Sequence, residues 1–90
     1  MGKVLITYKI MPESPSSNLE ELKEKIKETA EKNKGKLLSI SEQPIAFGLK
    51  SLNSVIMLDE NEESSPLEDS LRNIKGISSV DVVDYRRALE

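Results

Sequence analysis

Any chemistry in this chain falls to carboxylates, lysines, arginines and hydroxyls, because the sequence contains neither His nor Cys. That removes the commonest general base, the commonest metal ligand and the thiolate nucleophile. The acidic run Asp59-Glu60-Asn61-Glu62-Glu63 offers hard oxygens, but it lacks the spaced ligands and turn glycine of a calcium loop, so it reads as a solvated loop. Asp81 and Asp84 lie three apart in an extended run. Strict alternation sends them to opposite faces and makes no paired acid site. Gly48 stands alone and builds no phosphate-cradling loop. Two features remain. Arg86-Arg87 closes a strand-like run, where an arginine can reach a carboxylate or phosphate. The stretch from Glu42 to Leu52 holds the only Phe of the chain, Phe47, between Pro44 and Gly48. Its apolar Ile45 and Phe47 sit where a turn is expected, so they either fold back on a core or meet a partner. A lone Phe beside a hairpin is ordinarily core, and pattern alone favours that reading.

The elements that hold these residues follow from periodicity. Residues 3–11 alternate, with Val4, Ile6, Tyr8 and Ile10 on one face and Leu5, Thr7, Lys9 and Met11 on the other. Both faces are partly apolar, which suggests a central strand. Pro12 to Ser17 breaks it. A helix then starts at a capping box, either Ser17 with Glu20 or Asn18 with Glu21. It carries a stripe of Leu19, Leu22, Ile26 and Ala30. Asn33-Lys34-Gly35 stops it, with Gly35 suited to the left-handed position. A second strand covers residues 36–41, with Leu38 and Ile40 inward and Leu37, Ser39 and Ser41 outward. After the turn at Pro44 to Gly48, a third covers residues 49–59. Leu52, Ser54, Ile56 and Leu58 take one face of it, and Leu49, Ser51, Asn53, Val55 and Met57 the other. Ser65-Pro66-Leu67-Glu68 forms a second capping box with Pro66 at the first helical position. Leu67, Leu71 and Ile74 stripe that helix, and Gly76 ends it. Residues 77 to about 86 make the last strand, with Val80 and Val82 inward.

The order β-α-β-β-α-β over one 1–90 domain predicts an α+β ferredoxin-like sandwich. In it a four-stranded antiparallel sheet has both helices on one face, with the first and third strands central. The other face stays open, carrying Leu5, Thr7, Lys9, Leu49, Val55, Met57 and Val83. The net charge of −3, the missing signal-peptide core and the short apolar runs predict a cytoplasmic protein with no membrane contact. No direct nucleic-acid binding is expected, because the acidic balance and the absence of an aromatic cluster on the central strands oppose it. No cofactor or metal is expected.

The segment Gln43-Pro44-Ile45-Ala46-Phe47-Gly48-Leu49-Lys50-Ser51-Leu52 resembles the signature of translation elongation factor 1-beta. That signature runs Pro, Ile or Val, Ala or Gly, Phe or Tyr, Gly, Ile or Leu, Lys, any residue, Leu. Ile10-Met11-Pro12-Glu13-Ser14 resembles the end of the first strand in archaeal members, and Val80-Asp81-Val82-Val83-Asp84-Tyr85-Arg86-Arg87 their C-terminal strand. Length and element order also match the compact archaeal form, without the long N-terminal extension of eukaryotic relatives. The resemblance implies a guanine-nucleotide exchange factor rather than an enzyme. Its partner would be the GTPase elongation factor 1-alpha, in GDP-bound and nucleotide-free states. It would promote GDP release and GTP reloading of this GTPase, which delivers aminoacyl-tRNA. The resemblance places partner contacts at Pro44, Ile45, Phe47, Gly48 and Lys50, and puts Phe47 in contact with the GTPase. It also gives Arg87, or alternatively Arg86, the place of a C-terminal Lys that intrudes near magnesium and the phosphate loop. Among other functions of this fold, a small-molecule-sensing regulatory domain or an RNA-binding module stands as the alternative.

Overall fold

The computed structural model describes residues 2–14 and 16–88. Seven elements run in the order β1 (Lys3–Pro12), α1 (Leu19–Lys32), β2 (Lys36–Pro44), the 3-10 turn η1 (Ala46–Gly48), β3 (Lys50–Asp59), α2 (Ser65–Arg72) and β4 (Ile77–Ala88). The strands form one antiparallel sheet in the order β2-β3-β1-β4, with both helices on one face. This is the expected ferredoxin-like sandwich with β1 and β3 central. Val4, Ile6, Tyr8 and Ile10 of β1 and Leu52, Ile56 and Leu58 of β3 pack against Leu22, Ile26 and Ala30 of α1 and Leu67 and Leu71 of α2. At about 25 cal/mol per Å² of apolar surface, each buried Val, Leu or Ile side chain among them contributes roughly 1.5–3 kcal/mol.

Local signals decide where the helices begin. Asn18, not Ser17, caps α1: its side chain accepts from the Glu21 backbone N–H at 3.2 Å. The second capping box does not form. Ser64 flanks α2 in a right-handed helical conformation and makes no side-chain cap. One position after Ser65 stands Pro66, which has no N–H to be capped. Glu68, expected to reach back, instead accepts the Tyr8 hydroxyl at 3.4 Å. Burial, and then the nearby Glu68 charge, push the Tyr8 hydroxyl well above its usual range.

Two departures from simple alternation, and one at the end of α1, differ from the expectation. Leu37 pairs with Ile56 but Ser39 pairs with Val55, so Leu38 is an extra residue on β2. The bulge turns Leu37 inward with Ile40 and leaves Leu38 46% exposed, reversing the expected roles of Leu37 and Leu38. On β4, Tyr8 pairs with Val82 and Thr7 with Asp84, so Val83 is the extra residue. Asp81 lies opposite Lys9 and Asp84 opposite Thr7, which places both aspartates on the open face, contrary to the expectation. Val82 shares the helix side with Tyr8 but stays 44% exposed, because β4 is an edge strand. Finally, the left-handed residue after α1 is Lys34 (φ 66°), not Gly35. Gly35 serves a close approach: a Cβ there would stand 3.0 Å from both Ile56 Cγ2 and Leu58 Cδ2.

Candidate functional site

The β2–β3 hairpin ends in a type I′ turn over Ala46-Phe47-Gly48-Leu49. Phe47 (φ 60°, ψ 32°) and Gly48 (φ 77°) take its two central places, and Leu49 N–H donates to Ala46 O at 3.2 Å. Ile45 N–H donates to Leu49 O at 2.7 Å and closes the strands below it. This turn twists in the same sense as the flanking strands, which is why it suits a tight hairpin. It requires positive φ at both central residues, and Asn, Asp or Gly normally fills the first. Here that place holds a phenylalanine whose ring is 95% exposed. Left-handed backbone costs a side-chain-bearing residue about 1–2 kcal/mol. No burial offsets it. Backbone strain and an exposed aromatic ring coincide at this tip, which singles it out as the candidate site.

An ion network braces the root of the hairpin. The Lys23 ammonium of α1 donates to Glu42 Oε2 at 2.7 Å, Lys50 lies 3.6 Å from Glu42 Oε1, and Glu20 lies 3.5 Å from Lys23. The Lys23 hydrogen bond holds the Glu42 carboxyl below the usual carboxylate range, and the same bond raises Lys23. These groups are solvated, so the network orients β2 against α1 more than it stabilises the fold. Lys50 is therefore a tethered cation at the hairpin base.

The structure groups Pro44, Ile45, Phe47, Gly48 and Lys50 at one end of the sheet. It does not bring Arg86 and Arg87 to them. Lys50 pairs with Pro44 at one end of β3, while Asp59 at the other end pairs with Lys3, which in turn pairs with Ala88. The nine steps from Lys50 to Asp59 put about 30 Å between the two groups, along a molecule whose longest extent is 42 Å. Both arginines are already engaged. Arg86 Nε donates to Asp84 Oδ2 at 2.8 Å, and Arg87 Nη2 lies 3.1 Å from Glu60 Oε2. Leu89 and Glu90, the end of the tail, fall outside the described residues.

The acidic run is largely employed in structure. Asp59 accepts from the Asn61 N–H at 3.0 Å and pairs with Lys3 at 3.4 Å, which together hold its carboxyl low. Glu60 accepts from the Gly2 N–H at 3.1 Å and pairs with Arg87. Glu62 lies 3.7 Å from Lys34. Among the described residues no three His, Cys, Asp or Glu side chains group as a metal site. No helix among them is long and apolar enough to cross a membrane. The open face carries none of the three aromatic side chains: Tyr8 is buried under the helices, Tyr85 pairs with Ile6 on the helix side, and Phe47 is at the turn. Base-stacking of the kind RNA-binding sheets use has no platform there.

One recess was not singled out from the sequence. On the open face beside the hairpin, Lys9, Gln43, Pro44, Ile45, Ser51, Asn53 and Val83 line a hollow of about 310 Å³. Alternation puts Lys9, Ser51, Asn53 and Val83 on the open face, but nothing in the pattern marks their meeting with Gln43, Pro44 and Ile45 of the hairpin.

Comparison with known proteins gives a consistent result. The sequence model of a family described as EF-1 guanine nucleotide exchange domain matches residues 5–88. The chain is 42% identical to elongation factor 1-beta of Methanothermobacter thermautotrophicus over 90 residues, which cover 99% of this chain and 100% of that protein. It is 42% identical over 89 residues to the protein of the same name from Methanocaldococcus jannaschii, covering 98% and 100%. It is 43% identical over 88 residues to that of Methanosarcina barkeri, covering 97% and 99%.

Proposed function

This chain belongs to the EF-1 guanine nucleotide exchange domain family, and we propose from that membership how it acts. It is an archaeal-type elongation factor that serves translation as a guanine-nucleotide exchange factor for the GTPase elongation factor 1-alpha. An exchange factor works by differential binding. It must hold the nucleotide-free GTPase more tightly than the GDP-bound form, since only a difference in affinity shifts that equilibrium. Bound GDP is held through its phosphates and magnesium, so a rigid protrusion suits the task better than an acid and a base.

The observation that carries the site is Phe47, held left-handed and 95% exposed at the tip of the hairpin. In this reading Phe47 docks on the GTPase, with Pro44, Ile45, Gly48 and Lys50 fixing its angle. Arg86 and Arg87 form a second contact about 30 Å away along the sheet. The GTPase surface then has to span the length of the molecule. Each arginine would exchange its present carboxylate, Asp84 or Glu60, for an acceptor on the partner. The domain acts as one unit of residues 1–90 in the cytoplasm.

The test is release of a fluorescent GDP analogue from the cognate elongation GTPase, chased with excess GDP at fixed magnesium. Wild-type chain should accelerate release in proportion to its concentration, and Phe47→Ala should lose most of that acceleration while melting at the wild-type temperature. A collapsed melting temperature would make Phe47 a structural residue. No acceleration by the wild type would refute the exchange role.

A further inference from the structure

The recess beside the hairpin is lined by two side chains with hydrogen-bond donors to offer, Lys9 and Gln43. Ser51, fully buried, donates through Oγ to Asn53 Oδ1 at 3.4 Å. Asn53 Nδ2 donates to Gln43 Oε1 at 2.7 Å. Each amide oxygen of that relay accepts one of these bonds, and the Gln43 amide N–H groups donate to no partner among the described residues. Lys9 lines the same recess. It is the only Lys or Arg among the described residues that is partly buried and has no carboxylate within 4 Å. Asp81 lies opposite Lys9 in the β1–β4 register, yet no ion pair joins them. The Lys9 ammonium is thus uncommitted and can donate to an incoming acceptor. Beside an oriented amide donor and the apolar Ile45 and Val83, it fits a group that only accepts, a carboxylate on a short aliphatic stem.

We infer that this recess is the socket for an Asp or Glu side chain of the GTPase, gripped by Lys9 and Gln43. The inference rests on the exchange reading. The occupant is assigned to the GTPase because Pro44 and Ile45 belong both to the recess and to the hairpin that bears Phe47. A partner seated on the ring therefore covers the recess as well. The socket would fix the rotation of the partner about the hairpin, which a single exposed ring does not define.

The experiment reads GDP release against concentration of exchange factor, separating the half-saturating concentration from the plateau rate. Lys9→Met keeps the aliphatic stem and removes the charge. It should raise the half-saturating concentration about tenfold, the loss expected of one charge-assisted hydrogen bond, and flatten its dependence on salt. The plateau rate should hold. Gln43→Glu, at an exposed strand-end position, should act in the same direction by placing a carboxylate against a carboxylate, and it keeps the test alive if Lys9→Met fails to fold. Lys27→Met removes an equal charge from the exposed side of α1 and should change nothing. If wild-type chain is active and both recess variants match it, the socket is refuted while the exchange reading stands. An inactive wild type refutes both. If Lys9→Met instead dissociates a dimer of this chain in gel filtration, the carboxylate belongs to a second copy and the inference fails.

Discussion

Phe47 combines two costs that nothing in the fold offsets, a left-handed backbone and a ring in water. Replacing it with glycine isolates them. The turn relieves about 1–2 kcal/mol of backbone strain, while glycine adds unfolded-state freedom worth about 0.4–1 kcal/mol. Phe47→Gly should therefore raise stability by up to about 1.6 kcal/mol in denaturant unfolding and still abolish most exchange. A variant that is both less stable and active would remove the case for Phe47 as a docking residue. Sequence showed a turn here, since Pro44 and Gly48 bracket it. It did not show that Phe47, rather than Gly48 alone, takes positive φ, because propensity argues against that placement and only the type I′ geometry requires it. Tyr8 gives a second residue-scale expectation. Its hydroxyl is buried on Glu68, so it keeps its proton in the fold at a pH where an unfolded tyrosine, near 10, has lost it. The raised folded value means that stability is intact below pH 10 and falls as pH rises above it. The advantage of wild type over Tyr8→Phe, about 0.5–1.5 kcal/mol at pH 7 for one hydrogen bond, should fall by about 1.4 kcal/mol between pH 9 and pH 11. Urea titrations across that range would show it, and a constant gap would place the Tyr8 hydroxyl in contact with water.

At the scale of elements, periodicity gave the strand and helix order, the central pair β1 and β3, and both helix stripes. These follow from apolar spacing, which the core enforces residue by residue. What periodicity misses is the inserted residue. One extra residue at Leu38 and one at Val83 each put the two sides of the insertion out of step with a single alternation. Leu37 turns inward, and Asp81 and Asp84 come to one side. No composition signal marks either bulge, since both sit in ordinary strand residues. Gly35 was legible as a helix stop for the wrong reason. Its role is the 3.0 Å approach to Ile56 and Leu58, while Lys34 bears the positive φ. Gly35→Ala should therefore destabilise the fold by about 1–2 kcal/mol, the overpacking cost less the smaller unfolded-state gain. Thermal melts would decide it, and a stabilised variant would mean that α1 can shift away from β3 freely.

At the scale of the whole molecule, the two groups of candidate residues sit at opposite ends of the sheet. The motif around Phe47 and the arginines near the C-terminus were each visible in sequence. Their separation was not, because it depends on strand order and register, which bring the end of β4 beside the start of β1. On the proposed reading, the sheet would space two grips on one GTPase about 30 Å apart. A prediction follows from that separation. Residues more than about 7–10 Å apart with no shared partner ordinarily contribute independently, within about 0.3–0.5 kcal/mol. Phe47 at the hairpin and Arg87, paired with Glu60, share none. In a cycle of wild type, Phe47→Ala, Arg87→Ala and the double variant, the losses in exchange efficiency should add as free energies within that margin. Additivity requires that both ends touch the GTPase in the state that releases GDP. If Arg87→Ala alone changes nothing, the hairpin end carries the contact without it. If the double variant is no worse than Phe47→Ala, the arginine end engages only after the ring has docked, and the two grips act in sequence rather than together.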